Sequence, residues 1–299
     1  MTDLTFAKPP PNQRLGIVHD MPDAEYHQRP ELSSTGARLI LPEYKGSPRK
    51  FKWAETHRRT SRAFDVGHAV HAKVLGVGAG VVAYPPEHLT PSGNVSTKAA
   101  TVAWEQEQRA AGLVPIGPWD ARHVNAMAEA VLSHPTARPI FEVASHREVS
   151  VFAEVDGVPV RARFDALSDE TRDGVYAADL KTTDDATKTG FEKSVAKWGY
   201  DVQEAHYEDT YRASEDRPID KFFFIAVEKS GPYEVGVHRL PDIWLEMGKA
   251  KAVEARRIYR ECVETGVWPG YDTTIQFLDP PTWLVFEHEA RYENQEIQI

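Results

Sequence analysis

The chain has 299 residues, of which 41% are hydrophobic and 27% are charged, and its formal net charge is −10. This length allows a substantial core, and the acidic charge argues against a protein that coats nucleic acid without specificity, because such binding depends on neutralising many phosphates. The single cysteine, Cys262, excludes intrachain disulfides and four-cysteine zinc or iron-sulfur sites, so oxygen and imidazole would have to bind any metal.

The N-terminal residues predict neither a membrane span nor a signal peptide. No apolar run approaches the roughly 18 residues that a membrane helix needs, and the chain lacks a basic start followed by an apolar stretch. We therefore expect a cytoplasmic protein without a membrane association. Three consecutive prolines predict an irregular arm over residues 1–19. The remainder contains no repeat and no clear linker, so one domain is expected over 20–299.

Helical patterns dominate the N-terminal half. Ser33 or Ser34 can cap a short helix in "ELSSTGARLIL", which ends before Pro42. A second helix fits "TSRAFDVGHAVHAKVLG", with Gly76 as its terminator. Its residues directed to the core are Phe64, Val70, Val74 and Leu75. "STKAATVAWEQEQRAAG" and "WDARHVNAMAEAVLSH" predict two more helices. No "GK[ST]" follows a glycine loop, so an ATP-driven motor is not expected.

The hydrophobic period changes from helical to two at Glu148. "EVSVFAEV", a turn at Asp156 and Gly157, and "VPVRARFDAL" predict a hairpin, because Asp-Gly favours a type I′ turn. "VYAADLKT" adds a third antiparallel strand, and a helical pattern runs from Asp184 to about Ser214. "KFFFIAVEK" and "YEVGVHRL" predict two more strands, and "IWLEMGKAKAVEARRIYRECVETG" predicts a long helix. The expected fold class is α/β (α+β), a small mixed sheet with an antiparallel three-strand meander, flanked by helices.

A basic segment lies between residues 45 and 62. It contains seven basic residues and one acidic residue, Glu55. The basic residues are Lys45, Arg49, Lys50, Lys52, Arg58, Arg59 and Arg62. Such a segment is either a solvated surface or a track for DNA, and the pattern alone leaves both open.

Two opposite charges lie two residues apart in the third strand. Asp179 and Lys181 share a face because side chains alternate along a strand. If loop 168–174 joins the strands without a slip, Asp165 lies opposite Ala177 and diagonal to Asp179 on that face. Two carboxylates that hold a divalent metal, with a lysine beside the attacking water, suit phosphodiester hydrolysis. A salt-bridged patch on a solvated strand is the alternative.

Further motifs accompany these charges. "RFD" precedes "DLK" by 13 residues, Gly67 and His71 form a G-x-x-x-H pattern before the sheet, and Gln203 and Tyr207 form a Q-x-x-x-Y pattern after it. In this order the motifs resemble the RecB-like branch of the PD-(D/E)XK nuclease superfamily, and more narrowly the RecE-type exonuclease domain. "EYHQRPELSSTGARLIL", "SPRKFKW", "GYDVQEAHYEDTYR" and "WPGY" extend the resemblance over about residues 20 to 271.

The resemblance implies roles for individual residues. The implied metal ligands are His71, Asp165, Asp179 and the carbonyl of Leu180. The implied catalytic residues are Lys181, Asp165, Asp179, Gln203 and Tyr207. Glu148 also fits the family pattern, as an accessory residue or as half of a salt bridge. His68 lies three residues before His71 and is expected to be structural.

The implied activity is a Mg²⁺-dependent, ATP-independent exonuclease on double-stranded DNA ends, in which Mn²⁺ could substitute. RecE-like enzymes degrade the 5′ strand and leave a 3′ overhang for a RecT-like annealing protein, so that partner is implied here, as are a phage recombination system and a ring-shaped homo-oligomer. The alternatives are a structure-specific or restriction-type endonuclease, a catalytically silent DNA-end-binding scaffold, and a zinc hydrolase built on His68 and His71. The intact acidic, lysine and histidine set argues against the silent scaffold.

Overall fold

A mixed sheet occupies the centre of the chain in the computed structural model, which describes residues 16–57, 62–78 and 80–292. Its strands are β1 (Gly16–Val18), β2 (Leu32–Ser33), β5 (His146–Val155), β6 (Val158–Leu167), β7 (Tyr176–Thr183), β8 (Lys221–Glu228) and β9 (Val235–His238). The strand order is β1-β5-β6-β7-β8-β9, with β2 beside β6. The β7–β8 and β2–β6 pairs are parallel, and the other neighbours are antiparallel. A separate parallel pair consists of β3 (Gly80–Ala83) and β4 (Leu113–Ile116).

Helices surround the sheet. They are α1 (Asp23–Gln28), α2 (Ser34–Ile40), α3 (Pro48–Ala54), α4 (Arg62–Leu75), α5 (Ala99–Ala110), α6 (Pro118–Ser133), α7 (Ala137–Val143), α8 (Lys188–Trp198), α9 (Tyr200–Glu215), α10 (Asp242–Thr265) and α11 (Thr282–Tyr292). A short 3-10 helix, Pro42–Tyr44, follows α2. None of the helices in the described part of the chain is long and apolar enough to cross a membrane.

The predicted meander of three antiparallel strands is confirmed, as is the mixed α/β architecture. Asp156 and Gly157 connect β5 to β6 with φ angles of 53° and 74°. Two positive φ angles are what a type I′ turn requires, and this two-residue turn fixes Val155 opposite Val158. The alternating pattern therefore predicted both the strands and their order.

The register between β6 and β7 differs from the sequence prediction. The Ser168 amide donates to the Tyr176 carbonyl at 2.8 Å, and the Tyr176 amide donates to Ser168 Oγ at 2.8 Å. Val175 belongs to the loop, because its amide donates instead to Asp220 Oδ2 at 2.8 Å. These side-chain bonds set the register, whereas the prediction assumed that loop 168–174 joins the strands without a slip.

The consequence is that β7 is displaced by two residues relative to that prediction. Leu167, not Asp165, lies opposite Ala177, and Ala166 lies opposite Ala178. The prediction that Asp165 pairs with Ala177 was therefore wrong. The β6–β7 pairing ends at Ala166, so Asp165 lies where the two strands begin to separate.

Two hydrophobic clusters cover the two faces of the sheet. On one face α4, α6 and α7 pack on Ala178, Leu180 and Ile225. On the other face α8 and α9 pack on Phe164, Phe222 and several further apolar residues. Helices on both faces of the sheet bury the apolar side chains of each face. The catalytic candidates of β6 and β7 are thus enclosed between helices.

Two features, one near the N-terminus and one in α4, differ from the predictions, and the cap of α2 agrees with them. Residues 16–18, assigned to an irregular arm, form β1 because they complete an antiparallel ladder with β5; residues 1–15 lie outside the described part. Phe64 was assigned to the core but is 57% exposed, whereas Val70, Val74 and Leu75 are buried. Ser33 caps α2 as predicted, accepting the Gly36 amide at 3.1 Å.

The C-terminal residues form a compact unit of their own. The chain divides after Pro269, and the described residues 270–292 belong to the second unit; a single domain over 20–299 stays a prediction. Helix α11 lies in this unit. Ile275 and Phe277 are 90% and 95% exposed, so the stretch before α11 contributes nothing to a core.

A buried arginine connects the hairpin turn to two helices. Arg256 of α10 is 2% exposed, its Nε donates to Asp156 Oδ2 at 2.8 Å, and its Nη2 lies 2.9 Å from Asp209 Oδ2. We expect Arg256→Met to lower the free energy of unfolding by about 2–3 kcal/mol, because both carboxylates lose a charged hydrogen-bond partner. Urea unfolding measures this. Arg257→Met, which removes an exposed ion pair to Glu254, is the control and should change nothing measurable.

A buried histidine makes the fold sensitive to acid. His206 of α9 is fully buried, and its Nε2 lies 3.0 Å from the Arg161 carbonyl. Burial lowers the pKa of His206 to about 4, from 6.5. The unfolded chain therefore binds the extra proton first, so this contribution is present above pH 6.5 and is lost as pH falls towards 4.

We expect the loss at His206 to reach about 3 kcal/mol between pH 6.5 and pH 4. Urea unfolding at several pH values in EDTA, with His206→Gln for comparison, measures it. The variant should show a flatter profile than the wild-type protein. Parallel profiles for the two proteins would contradict the prediction.

Candidate active site

Three side chains from three elements converge beside the point where β6 and β7 separate. His71 of α4, Glu148 of β5 and Asp165 of β6 each offer a ligand atom, and these atoms lie within 4.8 Å of one another. His71 Nδ1 is 3.4 Å from Asp165 Oδ2. Two carboxylates and an imidazole form a donor set that suits a divalent cation such as Mg²⁺ or Mn²⁺.

Glu148 has an unusual backbone conformation for a strand residue. Its φ is 50°, in the left-handed region, although its neighbours Arg147 and Val149 pair regularly with β6. A non-glycine residue held in this region costs on the order of 1–3 kcal/mol. Glu148 Oε2 also lies 3.1 Å from Arg163 Nε. Glu148 therefore lies beside the predicted site and also forms the salt bridge that the sequence left open.

Asp165 substitutes for a main-chain acceptor where the β6–β7 ladder ends. The amide of Leu180 donates to its Oδ2 at 2.7 Å. Burial alone would raise the pKa of Asp165, but His71, Lys181 and this amide outweigh burial and lower it. The carboxylate is therefore charged and fixed between β7 and α4.

A second group lies on the neighbouring strand. Asp179 Oδ2 is in contact with the ammonium of Lys181, and Asp179 Oδ1 accepts a hydrogen bond from Gln203 Nε2 at 2.5 Å. Lys181 Nζ also lies 4.8 Å from the ring centroid of Tyr200. Burial raises the pKa of Asp179 in spite of the attraction of Lys181. The lysine is thus held by a carboxylate and by an aromatic face.

The electrostatics of the first group favour a bound cation. Burial opposes a charge on His71, but the carboxylates of Asp165, Asp179 and Glu148 outweigh it and raise the pKa of His71 to about 9. Burial, followed by Asp165, raises the pKa of Glu148 to about 7, against the effect of Arg163. The carboxylates thus make the potential at the cluster negative, which favours a divalent cation, and a bound cation would displace the proton that His71 holds. The three converging ligand atoms therefore fit a metal.

The structure brings most of the predicted site residues together, but in two groups. The first contains His71, Asp165 and Glu148; the second contains Asp179, Lys181 and Gln203. Asp179, a predicted metal ligand, lies in the second group. Leu180 contributes its amide to Asp165.

Three other predicted positions lie beside these groups. Tyr207 is buried in the core, with its ring centroid 4.8 Å from that of Phe164. His68 is exposed. A Cβ added to Gly67 would lie 3.9 Å from Thr182 Oγ1, an ordinary contact, so the approach of α4 to the sheet does not require glycine.

The predicted DNA track is described only in part. Lys45, Arg49 and Lys50 are exposed, and Lys52 forms a 2.7 Å ion pair with Glu55. Arg58 and Arg59 lie outside the described residues, as does the side chain of Arg62. The track therefore stays a prediction.

Tyr200 and Arg163 contact the two groups but were not among the predicted site residues. Tyr200 precedes Gln203 by three residues, which is one helical turn, so the same spacing argument that paired Gln203 with Tyr207 could have found it. Arg163 belongs to "RFD", and its alternation along β6 gave no sign that it contacts Glu148.

Comparisons with known proteins agree with this geometry. The sequence profile of the family described as "PDDEXK-like domain of unknown function (DUF3799)" matches residues 47–280. A crystal structure named "Putative exonuclease" from Eubacterium rectale superposes with a TM-score of 0.56 at 15% identity, covering 88% of this chain and 95% of that chain. This likeness shows the fold alone, and the fold is the PD-(D/E)XK-type core predicted from the sequence.

A second solved structure is only weakly similar. A crystal structure named "SSO0001" matches with a TM-score of only 0.28 at 13% identity, over 69% of this chain and 85% of that one. No curated protein matches the chain. The family profile, by contrast, spans most of the sequence and includes every residue of both site groups. The chain belongs to the family of PDDEXK-like domains of unknown function (DUF3799).

Proposed function

We propose that this protein is a metal-dependent nuclease that hydrolyses phosphodiester bonds in DNA. The observation that carries the proposal is the convergence of His71, Glu148 and Asp165 beside the Asp179–Lys181 pair, at the point where β6 and β7 separate. The family match and the solved structure named as an exonuclease support a nuclease. Each group has a distinct chemical task.

The first group binds metal and the second holds a charged lysine. His71, Glu148 and Asp165 would hold Mg²⁺ or Mn²⁺. A cation bound there polarises the scissile phosphate and lowers the pKa of a coordinated water. Lys181 donates hydrogen bonds to the attacking water or to the charge that develops on phosphorus. Asp179 and Gln203 position that lysine, and the Asp179 carboxylate is able to contribute to the metal shell.

The finer assignment is an exonuclease on double-stranded DNA ends. The RecE-type motifs support degradation of the 5′ strand, which leaves a 3′ overhang for a RecT-like annealing protein, with ATP not required. The name of the Eubacterium rectale protein also contains the word exonuclease. A ring-shaped homo-oligomer belongs to the same proposal, and light scattering after gel filtration measures it.

The first experiment is digestion of linear duplex DNA with Mg²⁺, with and without ATP, by the wild-type protein and by Asp165→Asn. We expect ATP-independent release of nucleotides and a loss of more than about 100-fold in the variant. Asp173→Asn, an exposed loop carboxylate, is the matched control and should digest normally. Absence of digestion by the wild-type protein, or full digestion by Asp165→Asn, would contradict the proposal.

Two further substrates separate the alternatives. Only an endonuclease cuts closed circular DNA, which has no ends, so resistance of the circle supports the exonuclease. Label on the 5′ or the 3′ terminus gives the polarity. A silent DNA-end-binding scaffold would digest neither substrate, and its melting temperature would not rise when Mg²⁺ or Mn²⁺ is added.

A further inference from the structure

The corner between α8 and α9 is built for close contact with the N-terminal helices. Gly199 has a φ of 64°, ends α8 and begins α9. A Cβ at this position would lie 2.8 Å from Arg38 Cδ and 2.8 Å from Tyr44 Cζ, so the contact requires glycine. The guanidinium of Arg38 also donates to the carbonyl of Trp198. Arg38 therefore fixes the backbone at the end of α8.

This corner adjoins the candidate active site. Tyr200 follows Gly199 directly, and Lys181 Nζ lies 4.8 Å from the centroid of the Tyr200 ring. On the other side, Tyr44 of the corner is followed by Lys45, the first residue of the basic segment. The corner thus connects the proposed catalytic lysine to the predicted DNA track.

The outer surface of the corner combines an aromatic ring with positive charge. Trp198 is 50% exposed, and the ammonium of Lys197 lies 4.7 Å from its ring centroid. Lys193 is exposed one turn before Lys197 on α8. Arg38 Nε is buried and has no hydrogen-bond partner among the described residues. An exposed indole flanked by cations is the combination that binds single-stranded nucleic acid, because bases stack on the ring and phosphates pair with the charges.

We propose that Trp198, with Lys197 over its ring and Arg38 bonded to its carbonyl, is a stacking platform for an unpaired base of a DNA strand at the active site. The proposal rests on the proposed nuclease function and adds the form of the substrate, a strand separated from its complement near the site. Lys197 Nζ lies over the indole, and Trp198 is 50% exposed, which leaves surface for contact with a base. The bond from Arg38 to the Trp198 carbonyl holds the backbone that carries the ring. Stacking of this kind accepts any base, because every base has a π face.

The test measures binding of oligo(dT) to the full chain in EDTA, where no metal is present to support cleavage. Anisotropy of a labelled oligonucleotide gives the affinity, and quenching of tryptophan fluorescence reports stacking. We expect Trp198→Ala to weaken binding by about 10-fold or more and to remove part of the quenching. Trp198→Phe retains a stacking ring and should bind much closer to the wild-type protein.

Trp119 provides a matched control. It lies on α6, is 52% exposed, and carries Arg122 at 4.1 Å from its ring centroid, so it is the same kind of exposed cation–aromatic pair. Trp119→Ala should bind oligo(dT) like the wild-type protein. Equal binding by Trp198→Ala and Trp119→Ala, or no binding of oligo(dT) by the wild-type protein, would overturn the proposal.

The salt dependence separates a phosphate contact from a structural role. Lys197→Ala should reduce the slope of log affinity against log salt by about 0.7, as expected when one phosphate contact to a single strand is lost. An unchanged slope would contradict the assignment of Lys197. The two proposals fail separately. If the wild-type protein digests duplex DNA but Trp198→Ala binds oligo(dT) as the wild-type protein does, only the stacking platform is rejected. Specific binding without any metal-dependent digestion rejects the nuclease alone.

Discussion

Replacement of Lys181 by methionine is expected to reduce DNA cleavage by about 100- to 1000-fold and also to destabilise the fold by about 3 kcal/mol. The first effect follows from loss of the charge that assists the reacting groups. The second follows from Asp179, which is 3% exposed and would be left with a buried charge and no ammonium partner. The two effects have different causes, so they can be separated.

Adding Asp179→Asn to Lys181→Met separates the loss of cleavage from the loss of stability. In the double variant Asp179→Asn/Lys181→Met no buried charge is left unpaired, and the amide oxygen of Asn can still accept from Gln203. We expect urea unfolding in EDTA at pH 7 to show recovery of most of the lost stability, whereas cleavage stays at the level of Lys181→Met. Lys188→Met, an exposed lysine, should match the wild-type protein in both measurements. A double variant as unstable as Lys181→Met would refute the buried-pair explanation.

Glu148→Gly is expected to stabilise the metal-free protein by about 1–2 kcal/mol while removing metal-dependent cleavage. Glycine adopts a φ of 50° without the steric cost that glutamate incurs. The substitution also removes a half-buried carboxylate whose charge is disfavoured first by burial and then by Asp165, which together outweigh Arg163 and raise the pKa of Glu148 to about 7. Stability is therefore sacrificed at this position for a ligand to the cation.

Glu148→Gln separates the charge from the backbone strain. It keeps the left-handed conformation and removes the charge, so it should stabilise less than Glu148→Gly and should also lose cleavage. Melting temperatures in EDTA and with Mg²⁺ test both variants; the rise produced by Mg²⁺ in the wild-type protein should be smaller in each. Asp20→Gly, at an exposed position with a φ of 53°, relieves the same backbone strain and should leave cleavage unchanged. A destabilised Glu148→Gly protein would contradict the strain argument.

The order of the three meander strands could be predicted because the local signals agreed with one another. Alternation from Glu148 onwards and the Asp156–Gly157 turn predicted the hairpin, and the structure has it. The β6–β7 register could not be predicted, because side-chain bonds of Ser168 and Asp220 set it, and no periodicity encodes such bonds. The break at Gly199 was missed for a similar reason, since a single helical pattern covers α8 and α9.

The site was predicted in composition more than in arrangement. A two-residue turn that pairs Val155 with Val158 also places Glu148 opposite Asp165, so the sequence contained the signal that joins these two carboxylates. The left-handed conformation of Glu148 could not be predicted, because the alternating pattern of a strand carries no information on the φ angle of one glutamate. The hydrogen bond from the Leu180 amide to Asp165 could not be predicted either, because it forms only where β6 and β7 separate after a short ladder.

The reciprocal bonds between Ser168 and Tyr176 have a practical consequence for engineering. They close the base of the loop independently of its tip, where Asp169, Glu170, Arg172 and Asp173 are exposed. The active-site geometry is thereby insulated from the sequence and the length of that tip. A reporter peptide inserted between Arg172 and Asp173 would keep Asp165 and Asp179 in register and provide a label on the protein a few residues from the candidate site.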